Sequence, residues 1–174
     1  MTMKDFLPLQ IAVLVVSDSR TNKTDVSGQV LVDRLQQAGH VLVNKTIVPD
    51  NIYQIRAIVS QWIAQQDVQI IISTGGTGVT GRDGTPEAII PLFDKTLDGF
   101  GELFRTISYQ EIGTSSVQSR AVSGVANGTY LFCLPGSASA CRTAWDQLIK
   151  AQLDLRTKPC NLVELIHRLK EAAN

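Results

Sequence analysis

Apolar and polar residues along the chain fall into blocks whose period changes from one block to the next. Ile11–Val16 is a continuous apolar run rich in valine, the pattern of a strand buried on both faces of a parallel sheet. Ser17–Val26 is polar and reads as a loop. Leu31, Leu35 and Ala38 then recur at helical spacing, and Gly39 stands where a helix should stop. Val41–Val48 is a second strand, broken by Pro49-Asp50-Asn51. Ile52, Ile55, Val59 and Trp62 give a helix with one apolar stripe. Val68–Ile72 is a third buried strand. A glycine-rich loop follows it, and Thr85-Pro86 restarts a helix, with Thr85 as its N-cap and Pro86 at its first position. Pro91 kinks or ends that helix. Phe100, Leu103, Phe104 and Ile107 mark a further helix closing near Gly113. Ala121–Ala126 and Thr129–Leu134 flank Asn127-Gly128, a hairpin signal. A helix holding Trp145 and Leu148 comes next. A last one, to Ala172, carries Leu162, Leu165, Ile166 and Leu169 in one stripe.

Strands alternating with helices imply one α/β domain spanning residues 1–174. Its sheet is expected to be mostly parallel, with helices on both faces and one antiparallel strand contributed by the hairpin. Composition agrees with a globular domain: of 174 residues, 44% are apolar and the formal net charge is zero. Without a basic bias, nucleic-acid and anionic-membrane surfaces are not expected. The run Ile11–Val16 is too short to span a membrane. The start "MTMKDFLPLQ" lacks a signal-peptide core, so a cytoplasmic location is expected. Cys133, Cys141 and Cys160 show no C-x-x-C spacing, which predicts free thiols, buried or partly buried. His40 and His167 lie far apart with no metal-ligand spacing.

The glycine loop carries the chemistry. Gly75, Gly76, Gly78, Gly81 and Gly84 stand between the third strand and the helix at Thr85. In a three-layer sheet, ligands collect at the carboxyl ends of the strands. Glycines bring backbone N–H groups close to a ligand, and N–H groups clustered in a turn bind anions. The positive end of the following helix adds to this. Gly76–Gly81 fits G-x-G-x-x-G, yet "RDGTP" still separates it from the helix and it follows the third strand, not the first. "GRDG" also lacks the Lys and Ser/Thr of a P-loop. The loop is therefore physically suited to a phosphate or another oxyanion, and matches either familiar phosphate loop only weakly.

Asp83 is out of place beside an anion unless Mg²⁺ bridges it to phosphate, or unless it only shapes a turn. Arg82 either pairs with phosphate or is a solvated loop charge. Asp50 is either a helix N-cap or a second metal-side carboxylate; if strands two and three lie side by side, both acids reach the same edge. "LPGSASACR" is another strand-to-helix turn, with Gly136, and Ser137 or Ser139 as cap. "SDSR", Ser17 to Arg20, would line the same edge.

"STGGTGVTGRDGTPEAI", "LPGSASACRTAW" and "VSDSR…DVSG" together resemble the MoaB/MogA family of molybdenum cofactor biosynthesis proteins, which includes the G domains of gephyrin and its plant counterpart. "PLFDKTLDGFGELFR", "EIGTSSVQSRAVSGVANGT" and "LRTKPCN" are similar to the bacterial MoaB branch. The resemblance implies a molybdopterin-binding fold covering nearly the whole chain. It implies Mg²⁺ and ATP, or GTP, as partners in adenylylating the molybdopterin phosphate, or binding of pterin and nucleotide without turnover. It puts the two acids on Asp50 and Asp83. It puts anion binding on Ser17, Asp18, Thr74, Gly75, Gly76, Thr77 and Gly78, and on Pro135, Gly136 and Ser137. It implies a closed homo-oligomer, a hexamer of two trimers before a trimer. Phe100, Leu103 and Phe104 are the apolar side chains expected to build that interface, while the stripe on the last helix docks on its own domain.

Overall fold

A computed structural model of the chain describes residues 5–65 and 67–171. Six strands form one sheet: β1 (Gln10–Val16), β2 (Val41–Val48), β3 (Ile70–Thr74), β4 (Lys95–Thr96), β5 (Val122–Ala126) and β6 (Thr129–Leu134), in the order β2-β1-β3-β6-β5-β4. β1, β2, β3 and β6 pair in parallel, whereas β5 runs antiparallel to both of its neighbours. One antiparallel strand in a mostly parallel sheet is what the hairpin signal required.

Period-2 alternation within β1 and β3 divides the core. Ile11, Val13, Val15, Ile70 and Ile72 face one layer, with α1 (Ser27–Gln37) and α5 (Ala138–Ala144). Ala12, Leu14, Val16 and Ile71 face the other, with α2 (Ile52–Ala64) and α3 (Thr85–Ile89). Because both faces are covered, these strands are apolar on both sides. α4 (Asp98–Ile112) ends at Gly113, whose φ of 59° suits a glycine terminus. α5 runs on through a π turn, Trp145–Ile149, and a last turn, Lys150–Gln152. Among the described residues no helix is long and apolar enough to cross a membrane. Cys133 and Cys141 are buried free thiols, and Cys160 is exposed.

Several expectations need correction. β2 and β3 are not neighbours, because β1 lies between them. β3 ends at Thr74 rather than Ile72, since Ser73 and Thr74 bury their hydroxyls by bonding them to the carbonyls of Phe132 and Pro135. α3 is capped by Gly84, with Thr85 and Pro86 inside its first turn. The last stripe belongs to a 3₁₀ segment, Val163–Arg168, and not to an α-helix. Leu162, Ile166 and Leu169 dock on their own core as expected; Ala172, the expected end of that helix, lies outside the described residues. Phe104 is only 2% exposed and belongs to the domain's own core. It is therefore removed from the expected interface surface, whereas Leu103 is 55% exposed.

Candidate functional site

Strand register brings the loops together. Val15 pairs with Thr74, and Thr74 with Leu134. The chain segments after β1, β3 and β6 thus leave the sheet at one level. The segment after β2 joins them, because Val16 pairs with Val48.

Gly75 and Gly136 let two turns touch. Gly75 has φ of 101°, and a Cβ there would come within 2.1 Å of the Val16 carbonyl oxygen. A Cβ on Gly136 would meet the Gly75 Cα at 3.2 Å. The Thr74 hydroxyl donates to the Pro135 carbonyl at 2.9 Å and ties the turns together. The Thr85 hydroxyl is not a cap; it donates to the Gly75 carbonyl at 2.8 Å, and Thr85 N donates to Gly76 O at 2.9 Å. The glycine loop is therefore folded back onto the start of α3. Ser137 does cap its helix, accepting from Ala140 N at 3.1 Å.

The turn Pro135–Ser137 separates two cavities. One, of about 310 Å³, is lined by Ser17, Arg20, Ser27, Thr74, Gly75, Gly136 and Ser137. The other, of about 340 Å³, is lined by Thr77, Gly78, Ser108, Ser119, Pro135, Gly136 and Ser137. Both are bordered by the Pro135–Ser137 turn and by parts of the glycine loop, whose Gly75 N–H is itself taken by the Leu134 carbonyl at 3.1 Å. Beneath the first, buried Asp25 accepts Gly28 N at 2.9 Å and pairs with Lys45 at 2.8 Å, fixing the start of α1.

Asp50 is not the cap of α2. Asn51 takes that role, accepting from the N–H groups of Tyr53 and Gln54. Asp50 instead turns toward the glycine loop. Its Oδ1 accepts Gly84 N at 3.1 Å, and a Cβ on Gly76 would lie 2.6 Å from its Oδ2. Burial raises its pKa above the ordinary carboxylate value; the Gly84 N–H opposes this, and the charges of Asp83 and Asp18 add to it. Asp83 behaves oppositely. The Thr80 hydroxyl, donating at 2.6 Å, holds its acid below the ordinary value, and Thr80 N donates to the same oxygen at 2.9 Å. Asp18 Oδ1 accepts Asp50 N at 3.1 Å and Arg82 at 2.7 Å. The Arg82 guanidinium is the main reason the Asp18 carboxyl is held down. Asp18, Asp50, Arg82 and Asp83 thus converge at one rim, although β1 separates β2 from β3.

Sequence reasoning missed Thr80, Arg120 and Glu87. Arg120 bonds the Thr77 and Asp83 carbonyls at 3.2 and 3.4 Å and pairs with Glu87. Among the described residues no group of three or more His, Cys, Asp and Glu is placed to hold a metal. Two carboxylates are what Mg²⁺ commonly takes from a protein when phosphate and water supply its other ligands. Asp50, partly buried, and the neighbouring Asp83 are oxygen donors of the kind such a cation takes.

A family profile described as a probable molybdopterin-binding domain matches residues 12–155. The chain is 57% identical over 157 residues to molybdenum cofactor biosynthesis protein B of Escherichia coli K12, covering 90% of this chain and 92% of that one. It is 45% identical over 150 residues to the protein of that name from Staphylococcus aureus COL, covering 84% and 88%. A crystal structure of a molybdenum cofactor biosynthesis protein B superposes with a TM-score of 0.85 at 38% identity, covering 97% of this chain and 98% of the other. The tungsten cofactor synthesizing protein MoaB from Pyrococcus furiosus superposes with a TM-score of 0.78 at 32% identity, covering 94% and 98%. With a matched profile over most of its length and relatives this similar, the chain belongs to the MoaB/MogA family of molybdopterin-binding-domain proteins.

Proposed function

We propose that the protein acts in molybdenum cofactor biosynthesis, binding molybdopterin and a Mg²⁺-nucleotide and adenylylating the pterin phosphate. The observation that carries this reading is the paired turns: the glycine loop and Pro135-Gly136-Ser137 touch at Gly75 and Gly136, with a cavity on either side. Two phosphorylated substrates, one per cavity, would meet over that turn. A terminal phosphate oxygen of molybdopterin would attack the α-phosphorus of ATP. A new P–O bond forms, the α–β bridge breaks, and pyrophosphate leaves. No general base is needed, because a phosphate nucleophile is already ionised near neutral pH. Backbone N–H groups of the two turns would hold the developing charge, and their fixed directions need no reorganisation. Ser17 and Thr77 would add side-chain or backbone donors around them, and Thr74 would hold the two turns together through its bond to Pro135. Asp50 and Asp83 would hold Mg²⁺, which supplies charge neutralisation on the nucleotide phosphates.

A second reading has an observation in its favour. Asp83 is already engaged by Thr80 and Gly78 in its own turn. A carboxylate so occupied suits a protein that binds pterin and nucleotide without turnover. One experiment separates the readings: incubate the purified protein with molybdopterin, Mg²⁺ and either ATP or GTP. Formation of a nucleotidyl pterin and pyrophosphate supports transfer. Binding of both ligands with no product supports the second reading, and absence of binding overturns both.

A further inference from the structure

Arg120 lies just before β5, far in sequence from the glycine loop, yet its guanidinium reaches two of the loop's peptide groups. Its Nε donates to the Thr77 carbonyl at 3.2 Å and its Nη2 to the Asp83 carbonyl at 3.4 Å. Glu87, in the first turn of α3, holds the guanidinium from the other side, with Oε2 3.2 Å from Nη2. The fork is half-buried, with 31% of the side chain exposed.

Both bonded carbonyls belong to trans peptides. In a trans peptide the C=O and the next N–H point in opposite directions. A guanidinium fixing Thr77 O therefore aims the Gly78 N–H away from itself, and one fixing Asp83 O does the same to Gly84 N–H. Each of those amides serves one of the acids, alongside Thr80 N, which also donates to Asp83. Gly84 N donates to Asp50 Oδ1 at 3.1 Å. Gly78 N faces the Asp83 carboxyl and helps to hold its acid down. A Cβ on Gly78 would lie 2.5 Å from Asp83 Oδ2, so this approach depends on glycine.

We propose that Arg120 is a positioning residue that sets Asp50 and Asp83 together, acting on each through one peptide plane of the glycine loop. The inference rests on the reading of those acids as the metal side of the site, but the peptide geometry can be tested without it. An arginine suits the task because its planar fork presents several donors in fixed directions. A lysine keeps the charge and cannot bridge two carbonyls and a carboxylate in one plane.

The test is amide hydrogen exchange of Gly78 and Gly84 by NMR in the full chain, for wild type, Arg120→Gln and Arg120→Lys, with thermal melting as a fold control. Arg120→Gln is expected to speed exchange at both amides by about tenfold or more, while the amides of β1 keep their protection. Arg120→Lys should speed at least one of the two, showing that geometry and not charge is responsible. If Arg120→Gln does not fold, Arg120→Lys alone decides. Wild-type exchange at both amides in a folded variant overturns the proposal. Turnover is a separate arm. In an active preparation, Arg120→Lys should lower kcat more than it raises KM, because both substrates still bind but the acids are misaligned. Equal kcat in the two proteins would count against it. Were the wild type inactive, the function reading would fail while the exchange result still stood.

Discussion

Gly76 and Gly81 lie in the same loop and make opposite predictions. Gly76 has φ of 65°, and a Cβ there would lie 2.3 Å from the Thr85 hydroxyl and 2.6 Å from Asp50 Oδ2. Gly81 has nothing within 4 Å of its Cβ position. For Gly76→Ala, holding an L-residue in the left-handed region costs about 1–2 kcal/mol. Displacing Thr85 from the Gly75 carbonyl forfeits a further ~1 kcal/mol. The sum, about 2–3 kcal/mol, is below the 5–15 kcal/mol typical of whole domains, so the fold should survive. At about 2–4 °C per kcal/mol for a chain of this size, the melting temperature should drop by roughly 4–12 °C. Gly81→Ala should be neutral or gain up to ~1 kcal/mol by restricting the unfolded chain. Calorimetry of the two variants and ligand binding by titration make the comparison. Asp50 would be pushed off the loop in Gly76→Ala, so phosphate-ligand affinity should fall there and persist in Gly81→Ala. Equal melting temperatures for the two, or unimpaired binding in Gly76→Ala, refute the reasoning.

Asp83→Asn should lower adenylyl transfer by roughly 100-fold while the turn survives, since an Asn oxygen still accepts from Thr80; unchanged turnover in an active preparation would remove the metal role. Phe104→Asp should destabilise by at least ~3–5 kcal/mol, because it buries a carboxylate where Phe104 now fills the core. Leu103→Asp, at an exposed position, should fall within ~0.5 kcal/mol in urea unfolding of the monomer. His40 is buried and accepts Leu9 N on its Nδ1; burial lowers its pKa below the ordinary 6.5, against the pull of Asp154. The unfolded chain therefore binds its proton first. The His40 contribution is complete above pH 6.5 and is lost as pH falls below it toward the folded value. Urea midpoints of wild type and His40→Asn at pH 7.5 and 5.5 check this: the acid-induced loss should shrink in the variant, and an equal loss in both would exclude His40 as its source.

Much of the fold was legible because burial on both faces leaves a crude signature. β1 and β6 are apolar runs of strand length, buried almost throughout, and Asn127-Gly128 can scarcely join anything but a hairpin. What was illegible is polar residues that behave as core. Ser73 and Thr74 end an apolar run in the sequence, yet they continue β3 because neighbouring carbonyls satisfy their hydroxyls. β4 is a two-residue edge strand with exposed side chains, so no hydrophobic pattern marks it. The stripe Leu162, Leu165, Ile166 and Leu169 fits three residues per turn about as well as 3.6, and burial alone does not choose between them. Phe104 looked like surplus apolar surface because α4 lies outside the minimal β/α repeat; it is absorbed into the core beside Phe100, whose own ring meets the β6 residue Phe132.

The site divides along the same line. Its two touching turns could be located, because glycine clusters at strand ends mark a close backbone approach. Which acid does what could not, since an Asp next to a helix start serves equally as a cap. That ambiguity disappears only with Asn51 in view, for its side chain takes the cap and frees Asp50. The condition on which both acids would share an edge, adjacent second and third strands, is not met, because β1 lies between them. Gly84 carries the end of the glycine loop across to Asp50, and Arg82 reaches Asp18 over the same gap. Arg120 lies within a quoted stretch of family resemblance, yet nothing in the pattern marks its role. Its partners are backbone carbonyls, and a carbonyl has no residue type by which to be recognised. Residues that act on backbone are therefore the systematic blind spot of reading side-chain patterns. In a site built from glycine turns, that blind spot covers the residues that aim the backbone.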